Sequence, residues 1–331
     1  MNFLMHGVSF AITCEAEAIR DALGRRLRVF ATDRITGPDA VVVTITGPGA
    51  SPLFAPQFAE SGRVVYETAD GEIRYIDAVD RVVSDYAGTV QMDVRARGDR
   101  LDLAVTGTAP VDLMVAAYPM FTLALTEILK QRGRYALHAA CPAAGERGLL
   151  IAGSSGCGKS TLALAFARRG HALLSDDTVF LDDEAGTVFG FPDEIDVTDA
   201  TAEMFTELRD LRLQPKRAGR TKHAVDPTTF GPRPPARCAP AALVFPRPTP
   251  TASSRLEPIE PAHALQALAA NVLLTHQESS QRHLDALGAL ARRLPAYELA
   301  TGHDLDAAVD VLAPLFSEGP QTRSISHAAP T

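Results

Sequence analysis

The pattern of apolar and polar positions changes character near residue 130. Before that point, short runs alternate apolar and polar residues, which is typical of half-buried strands. The runs lie at Val41–Thr46, Arg63–Thr68, 73–76, 89–95 and 101–105. Turn residues such as Asp70-Gly71 separate them, and a helical period over residues 15–27 adds one helix. The pattern predicts a smaller α+β domain with an antiparallel sheet over residues 1–130, for which substrate recognition is one possible role.

The remainder of the chain combines continuous apolar runs with helical periods. Residues 111–130 form a long apolar helical pattern that Pro119 should kink or shorten. After it come apolar runs at 135–141, 148–152, 171–175 and 241–245, and helical periods at 160–169, 262–275, 281–294 and 305–315. Buried strands interleaved with helices indicate an α/β fold. We therefore expect an α/β domain over residues 131–316 and a disordered tail over residues 317–331.

One motif inside the second part predicts phosphate binding. The pattern GxxxxGK[ST] is matched at every fixed position by eight consecutive residues: Gly153, Ser154, Ser155, Gly156, Cys157, Gly158, Lys159 and Ser160. Glycines let backbone amides surround phosphate oxygens, and the N-terminus of the following helix adds partial positive charge. Lys159 can then reach the β- and γ-phosphates, and Ser160 can hold Mg²⁺. We expect an ATP site over this loop, extending to Thr161.

Two acidic residues and a histidine lie at neighbouring strand ends. Asp176 and Asp177 directly follow the apolar run 171–175, where a strand end should face the phosphate-binding loop. One carboxylate can hold the metal ion, and the other can accept a proton from an attacking hydroxyl group. The alternative for this pair is a solvated turn or a helix cap. His138 lies in a hairpin signature just before the loop, where a structural role is the alternative to a catalytic one.

These residues together resemble the catalytic domain of the bacterial HPr kinase/phosphorylases. The order and spacing of His138, residues 153–160, Arg169-Gly170-His171 and Asp176-Asp177 carry the resemblance, which covers residues 133–192. It implies a P-loop kinase domain of the HPr kinase C-terminal type. It further implies that Asp177 is the catalytic base, that Asp176 is a ligand of Mg²⁺ or water, and that His138 orients or tunes the base.

The chain departs from that family in three places. Residues 190–196 and 213–223 differ in sequence from the corresponding stretches of the family. The family's usual N-terminal domain is not recognisable in residues 1–125. In length and layout the chain looks more similar to HPr-kinase-like proteins of peptide-modification gene clusters, including the lasso-peptide kinases. That resemblance implies a peptide or small-protein partner that carries an acceptor serine, for example the C-terminal serine of a lasso precursor peptide.

Charge and composition narrow the classes of partner. The 331 residues carry a formal net charge of −8, which argues against general nucleic-acid binding. Neither a signal-peptide pattern nor an apolar run of about 18 residues is present, so we expect a cytoplasmic protein without a membrane partner. The four cysteines have neither metal-site nor disulfide spacing. The basic stretch 209–223 either closes over transferred phosphate or is a solvated surface loop.

Two classes of function remain open after these observations. The first is an ATP- and Mg²⁺-dependent serine kinase, and the second is a regulatory module gated by nucleotide hydrolysis. A hydrolytic switch needs a group that positions water, whereas an acidic pair beside a hairpin histidine is suited to phosphate transfer to a hydroxyl group. These residues therefore favour the kinase. The acceptor is not defined by these residues, and a homo-oligomer is compatible with them.

Overall fold

A computed structural model describes residues 1–33, 39–55, 61–68, 71–78, 81–95, 97–191, 195–208, 222–226, 230–232 and 235–317. Most of the predicted basic loop, residues 209–221, lies outside these described residues. The predicted disordered tail also lies outside them from residue 318 onward. Within the described residues, the chain forms two large sheets and a two-stranded ribbon, with helices packed on both sheets.

The first sheet is built from the N-terminal half of the chain. Its spatial order is β1-β2-β3-β8-β7-β6-β5-β4. The strands are β1 (Asn2–Met5), β2 (Val8–Cys14), β3 (Val41–Thr46), β4 (Arg63–Thr68), β5 (Gly71–Ala78), β6 (Arg81–Tyr86), β7 (Val90–Arg95) and β8 (Arg100–Val105). Strand β3 runs parallel to both β2 and β8, so the sheet is mixed rather than wholly antiparallel. Helix α1 (Glu17–Arg26) provides the crossover that a parallel β2–β3 pair requires.

A long interrupted helix covers this sheet. It consists of α2 (Pro110–Val115), a π-helical turn (Ala116–Met120) and α3 (Phe121–Gln131). Pro119 lies inside the π-helical turn, which confirms the predicted interruption, because proline removes one backbone donor from the helical ladder. The whole segment Pro110–Gln131 has the length and composition of a membrane-spanning helix, yet 56% of its apolar window is buried inside the protein. Its buried residues join the core under the first sheet.

The second sheet belongs to the C-terminal half and has the order β10-β9-β12-β13-β16-β18-β17. The strands are β9 (Tyr135–Ala144), β10 (Arg147–Ala152), β11 (Ala172–Ser175), β12 (Thr178–Leu181), β13 (Val188–Gly190), β16 (Arg237–Pro248), β17 (Arg255–Pro258) and β18 (Ala296–Thr301). Strand β10 also pairs with β16, and β11 pairs with β9. The ladder β10-β9-β12-β13-β16 therefore closes on itself.

Helices enclose this second sheet on two sides. Helices α4 (Lys159–Arg168) and α8 (Leu305–Leu312) share one core with the ribbon of β14 (Ile195–Thr198) and β15 (Lys222–Val225). Helices α6 (Pro261–Ala269) and α7 (Gln277–Arg293) share the other core, and the short helix α5 (Asp199–Met204) follows β14. Helices on both sides of a sheet with parallel pairs confirm the predicted α/β class for this half.

One helix ends earlier than its apolar pattern predicts. The helical period suggests a helix over residues 262–275, whereas α6 ends at Ala269. The Asn271 side chain donates to the carbonyl of Ala267, which satisfies one carbonyl of the last turn. Val272 then packs against the C-terminal core and Leu273 against the N-terminal core. The apolar run continues past the helix because it bridges the two cores.

The closed ladder brings two cysteines into contact above a glycine of β10. The Sγ atoms of Cys141 and Cys238 lie 3.9 Å apart, and both thiols are buried. The contact with Cys238, together with burial, raises the pKa of the Cys141 thiol. A Cβ added at Gly148 would lie 2.5 Å from Cys238 Sγ and 2.7 Å from Cys141 Sγ. The space above Gly148 is therefore filled by sulfur.

Replacing Gly148 with alanine is expected to lower the free energy of unfolding by about 1–3 kcal/mol, because the added methyl group overpacks the thiol pair. Urea unfolding measures this loss. Gly24→Ala in α1 is the matched control, since a Cβ there meets nothing within 4 Å, and it should leave stability equal or higher. The double variant Gly148→Ala/Cys238→Ala should recover part of the loss, and no recovery would contradict the steric explanation.

Acid should weaken the fold through His6, which lies between the two halves. Its ring contacts Phe180 at 5.2 Å and Phe189 at 5.1 Å between centroids. Burial, with a smaller contribution from the positive charge of Arg134, lowers the pKa of His6 to about 3. Between pH 6.5 and this value, the unfolded chain binds a proton that the native chain does not. Stability should therefore fall with acidification, by at most about 1.4 kcal/mol per pH unit from this residue.

The measurement is the free energy of unfolding by urea between pH 7 and pH 5. His6→Asn should reduce the slope but not abolish it, because burial lowers the pKa of His283 to about 3 as well. Asn tolerates the positive φ of 52° at position 6. The exposed His303 provides the matched control, because His303→Asn should keep the parental slope. An unchanged slope in His6→Asn would show that another group is responsible.

Candidate active site

The register of β9 brings the predicted site residues to one level of the second sheet. On one side, Ala152 at the end of β10 pairs with Ala139 of β9. On the other side, Thr178 at the start of β12 pairs with His138. The phosphate-binding loop follows Ala152 directly, and Asp176-Asp177 directly precede Thr178. The loop and the acidic pair therefore flank β9 at the same height.

The acidic pair lies at a break in the ladder along β9. Ser175 at the end of β11 pairs with Cys141, and the next pair along β9 is Thr178 with His138. Residues 176 and 177 leave the ladder between these two pairs. We expected β11 to face the loop from a directly adjacent strand, but β9 lies between β10 and β11. The facing arrangement is retained because β10, β11 and β12 all run antiparallel to β9.

The glycine-rich loop leaves open space in front of the N-terminus of α4. Gly156 and Gly158 have φ angles of 84° and 98°, a left-handed conformation that favours glycine. A Cβ at either position would meet no atom within 4 Å. Helix α4 begins at Lys159, so its first amides and its positive dipole end belong to the same loop. This geometry suits an anion such as a phosphate group.

Lys159 lies across the loop. Its side chain is buried, and Nζ donates to the carbonyl oxygens of Gly153 at 2.7 Å and Ser154 at 3.2 Å. These contacts keep an ammonium group beside the amides that face the open space. A bound phosphate would therefore meet both a fixed positive charge and backbone donors.

The two aspartates differ in exposure. Asp176 is 5% exposed, whereas the Asp177 side chain is 52% exposed. His138 Nδ1 lies 2.8 Å from the Asp177 carbonyl oxygen and 3.2 Å from its Oδ1. Because a carbonyl oxygen can only accept, Nδ1 carries the proton in this contact. Thr178 Oγ1 donates to Asp177 Oδ2 at 3.0 Å, so both carboxylate oxygens are oriented.

A buried serine fixes the turn that carries the aspartates. Ser175 Oγ donates to the carbonyl of Phe191 at 3.1 Å and accepts from the amide of Thr178 at 3.2 Å. Both bonds are shielded from water, because Ser175 is 2% exposed. The turn that carries Asp176 and Asp177 is thus closed by one internal hydrogen bond, between Thr178 and Ser175, and tied to Phe191 by another.

The structure shows contacts beside the start of α4, made by α5 and β15, that no sequence motif indicated. Thr161 Oγ1 lies 3.3 Å from Thr201 Oγ1 of α5, and the Thr201 amide donates to Thr198. His223 of β15 contacts Asp199 with 2.6 Å between Nε2 and Oδ1. The ribbon and α5 therefore lie beside the phosphate-binding helix. The basic stretch begins after Leu208 and ends where β15 starts, next to this group.

The donor chemistry fits magnesium and a polyphosphate. The Ser160 hydroxyl and the Asp176 carboxylate supply hard oxygen ligands. The described residues include no group of three or more His, Cys, Asp or Glu side chains that could hold a metal ion. A cation held by Ser160 and Asp176 would take its remaining ligands from phosphate oxygens and water, which is how Mg²⁺ is usually bound.

Comparisons with known proteins find sequence similarity over part of the chain. The family model described as HPr Serine kinase C-terminal domain matches residues 132–207. The HPr kinase/phosphorylases of two Clostridium botulinum strains, Eklund 17B / Type B and Alaska E43 / Type E3, are each 44% identical over 50 residues. This match spans 15% of the chain and only 16% of the length of each relative.

A solved structure of similar description was also found. It is the Hpr(Ser) kinase/phosphatase from Coxiella burnetii, with 17% identity, a TM-score of 0.26, and coverage of 54% of this chain and 93% of that one. A TM-score of this size supports no structural argument. The family-model match includes His138, the whole phosphate-binding loop and both aspartates. The family model and the two Clostridium relatives support an HPr kinase-like family for residues 132–207.

Proposed function

We propose that this protein is an ATP- and Mg²⁺-dependent serine kinase of the HPr kinase-like type. It transfers the γ-phosphate of ATP to a serine hydroxyl of a peptide or small protein. The observation that carries the proposal is the contact of His138 with Asp177, across β9 from the phosphate-binding loop. A donor site and a proton acceptor thus flank one strand.

The donor half of the reaction falls to the loop and the start of α4. The backbone amides of residues 153–161 and the Lys159 ammonium hold the phosphates. They also stabilise the negative charge that develops on the phosphate oxygens during transfer. Ser160 and the buried Asp176 hold the cation. Mg²⁺, when bound, neutralises charge on the phosphate oxygens and on the departing ADP.

The acceptor half falls to Asp177 and His138. The half-exposed Asp177 carboxylate can be approached by a serine side chain from solvent. The serine oxygen forms a bond to the γ-phosphorus while the bond to the β-phosphate oxygen breaks, and ADP departs. The hydroxyl proton passes to Asp177. His138 Nδ1–H bonds the Asp177 carbonyl and lies 3.2 Å from the carboxylate Oδ1, and the Thr178 hydroxyl donates to Oδ2. His138 is therefore a positioning residue for the base.

The N-terminal half, residues 1–130, is the proposed domain for recognising the acceptor. The C-terminal serine of a lasso precursor peptide is one acceptor to test, and HPr is another, because the two Clostridium relatives are described as HPr kinase/phosphorylases. The experiment incubates the chain with Mg²⁺, γ-labelled ATP and each candidate, and locates the phosphate by mass spectrometry. A phosphoserine supports the proposal. ATP hydrolysis without phosphate on any candidate would favour the nucleotide-gated regulatory ATPase instead.

Asp177→Asn should lower the rate of phosphate transfer by at least about 100-fold, because the proton acceptor is lost. Its affinity for Mg-ATP should stay within about twofold of the parent value. Lys159→Met should reduce both quantities, because Lys159 contacts the donor. Calorimetry and single-turnover kinetics separate these effects.

Glu184→Gln is the matched control, since Glu184 is an exposed acid in the turn between β12 and β13. It should keep the parental rate. Full transfer activity in Asp177→Asn would remove Asp177 from its assigned role.

A further inference from the structure

We infer that Glu127 and Lys130 are positioning residues for His138 and act through the segment 271–275, called here the bridging segment. This inference rests on the proposed function, because His138 is the residue that orients the proposed base. It assigns to the N-terminal half a role in the geometry of the active site. The observation behind it is that hydrogen bonds join α3 to Leu273 and Thr275 at one end of this segment, while Asn271 at its other end bonds the backbone of β9.

The bridging segment fixes the backbone at His138. It lies between the end of α6 and the start of α7. The Asn271 carbonyl accepts a hydrogen bond from the His138 amide at 2.9 Å. The ladder between β9 and β10 ends one residue later, at Ala139. The position of Asn271 therefore helps to set where His138 stands relative to Asp177.

The N-terminal half holds the carbonyls that follow Asn271. Lys130 Nζ donates to the Leu273 carbonyl at 3.0 Å, and Arg63 of β4 donates to the Leu274 carbonyl. The Thr275 hydroxyl donates to Glu127 Oε1 at 2.7 Å. Three consecutive residues of the bridging segment are thus bonded to side chains of the N-terminal half.

The ion pair at the centre of these contacts is buried. Lys130 Nζ lies 3.0 Å from Glu127 Oε1, and the two side chains are 2% and 1% exposed. Removing two charges from water costs about as much as their attraction returns, so a buried pair is a weak source of stability. The pair instead fixes the position of the bridging segment. The Lys130 ammonium group satisfies its hydrogen bonds to a carboxylate, a hydroxyl and a carbonyl in only one arrangement.

Packing reinforces the same connection. Val272 packs against the C-terminal core, and the adjacent Leu273 packs against the N-terminal core. A displacement of α3 relative to the first core would therefore move Leu273 and, through the short chain to Asn271, the carbonyl that holds His138. A ligand that displaces α3 would therefore change the position of His138 through the bridging segment.

The test compares Lys130→Met with Glu127→Gln/Lys130→Met. The single variant leaves a buried carboxylate without its cation and should be strongly destabilised, whereas the double variant is neutral and should regain most of the lost melting temperature. Neither variant keeps the donor to the Leu273 carbonyl. If the role is positional, the double variant should remain about 10- to 100-fold slower in kcat despite its restored stability.

Two further readouts separate positioning from stability. In the double variant, the affinity for Mg-ATP should stay within about twofold of the parent, because the donor loop is untouched. Amide hydrogen exchange at His138 should become faster relative to Ile151 of β10, because the bond to Asn271 loosens. The neutralising control Arg81→Met/Asp93→Asn removes an ion pair between β6 and β7 and should alter neither kcat nor exchange at His138.

Parental kcat together with parental exchange at His138 in the folded double variant would overturn the inference. If the double variant does not fold, Thr275→Val carries the same test, because it removes only the hydroxyl that joins the bridging segment to the ion pair. If the parent chain itself transfers no phosphate, the proposed function fails. The exchange rate at His138 then still decides whether Glu127 and Lys130 position it.

Discussion

The placement of β9 is the constraint on which the candidate site depends. Strands β10 and β12 flank β9 and both run antiparallel to it. The loop that follows β10 and the acids that precede β12 therefore lie at the level of His138 and Ala139, on opposite sides of β9. A shift of this register by one residue would turn every side chain of β9 to the opposite face of the sheet. Pairing on both sides of β9 and burial of most of its residues oppose such a shift.

Exposure distinguishes the two aspartates to which we assign different roles. A buried carboxylate such as that of Asp176 is suited to a bound cation, which compensates its charge. A half-exposed carboxylate is suited to a substrate that arrives from solvent. The turn held by Ser175 gives two neighbouring residues these different surroundings. The roles proposed for them therefore depend on how the chain leaves the ladder between β11 and β12.

The sequence predicted the features that depend on local signals. The glycine motif between an apolar run and a helical period defined β10, the loop and α4, and Pro119 marked the interruption of the long helix. Features set by distant partners could not be predicted in this way. The parallel pairing of β3, the position of β9 between β10 and β11, and the His223–Asp199 contact all join residues far apart in the chain. The early end of α6 belongs with these, because two cores compete for Val272 and Leu273. The domain boundary near residue 130 and the catalytic roles stay predictions.

The most direct test of the central claim is amide hydrogen exchange with and without saturating Mg-ATP. If the loop amides bind the phosphates and Asp176 helps to hold the cation, Mg-ATP should slow exchange over residues 154–161 and in the turn 175–178, while ADP without Mg²⁺ should protect the turn less. Folded protein whose loop and turn exchange at the same rates with and without Mg-ATP would contradict the account.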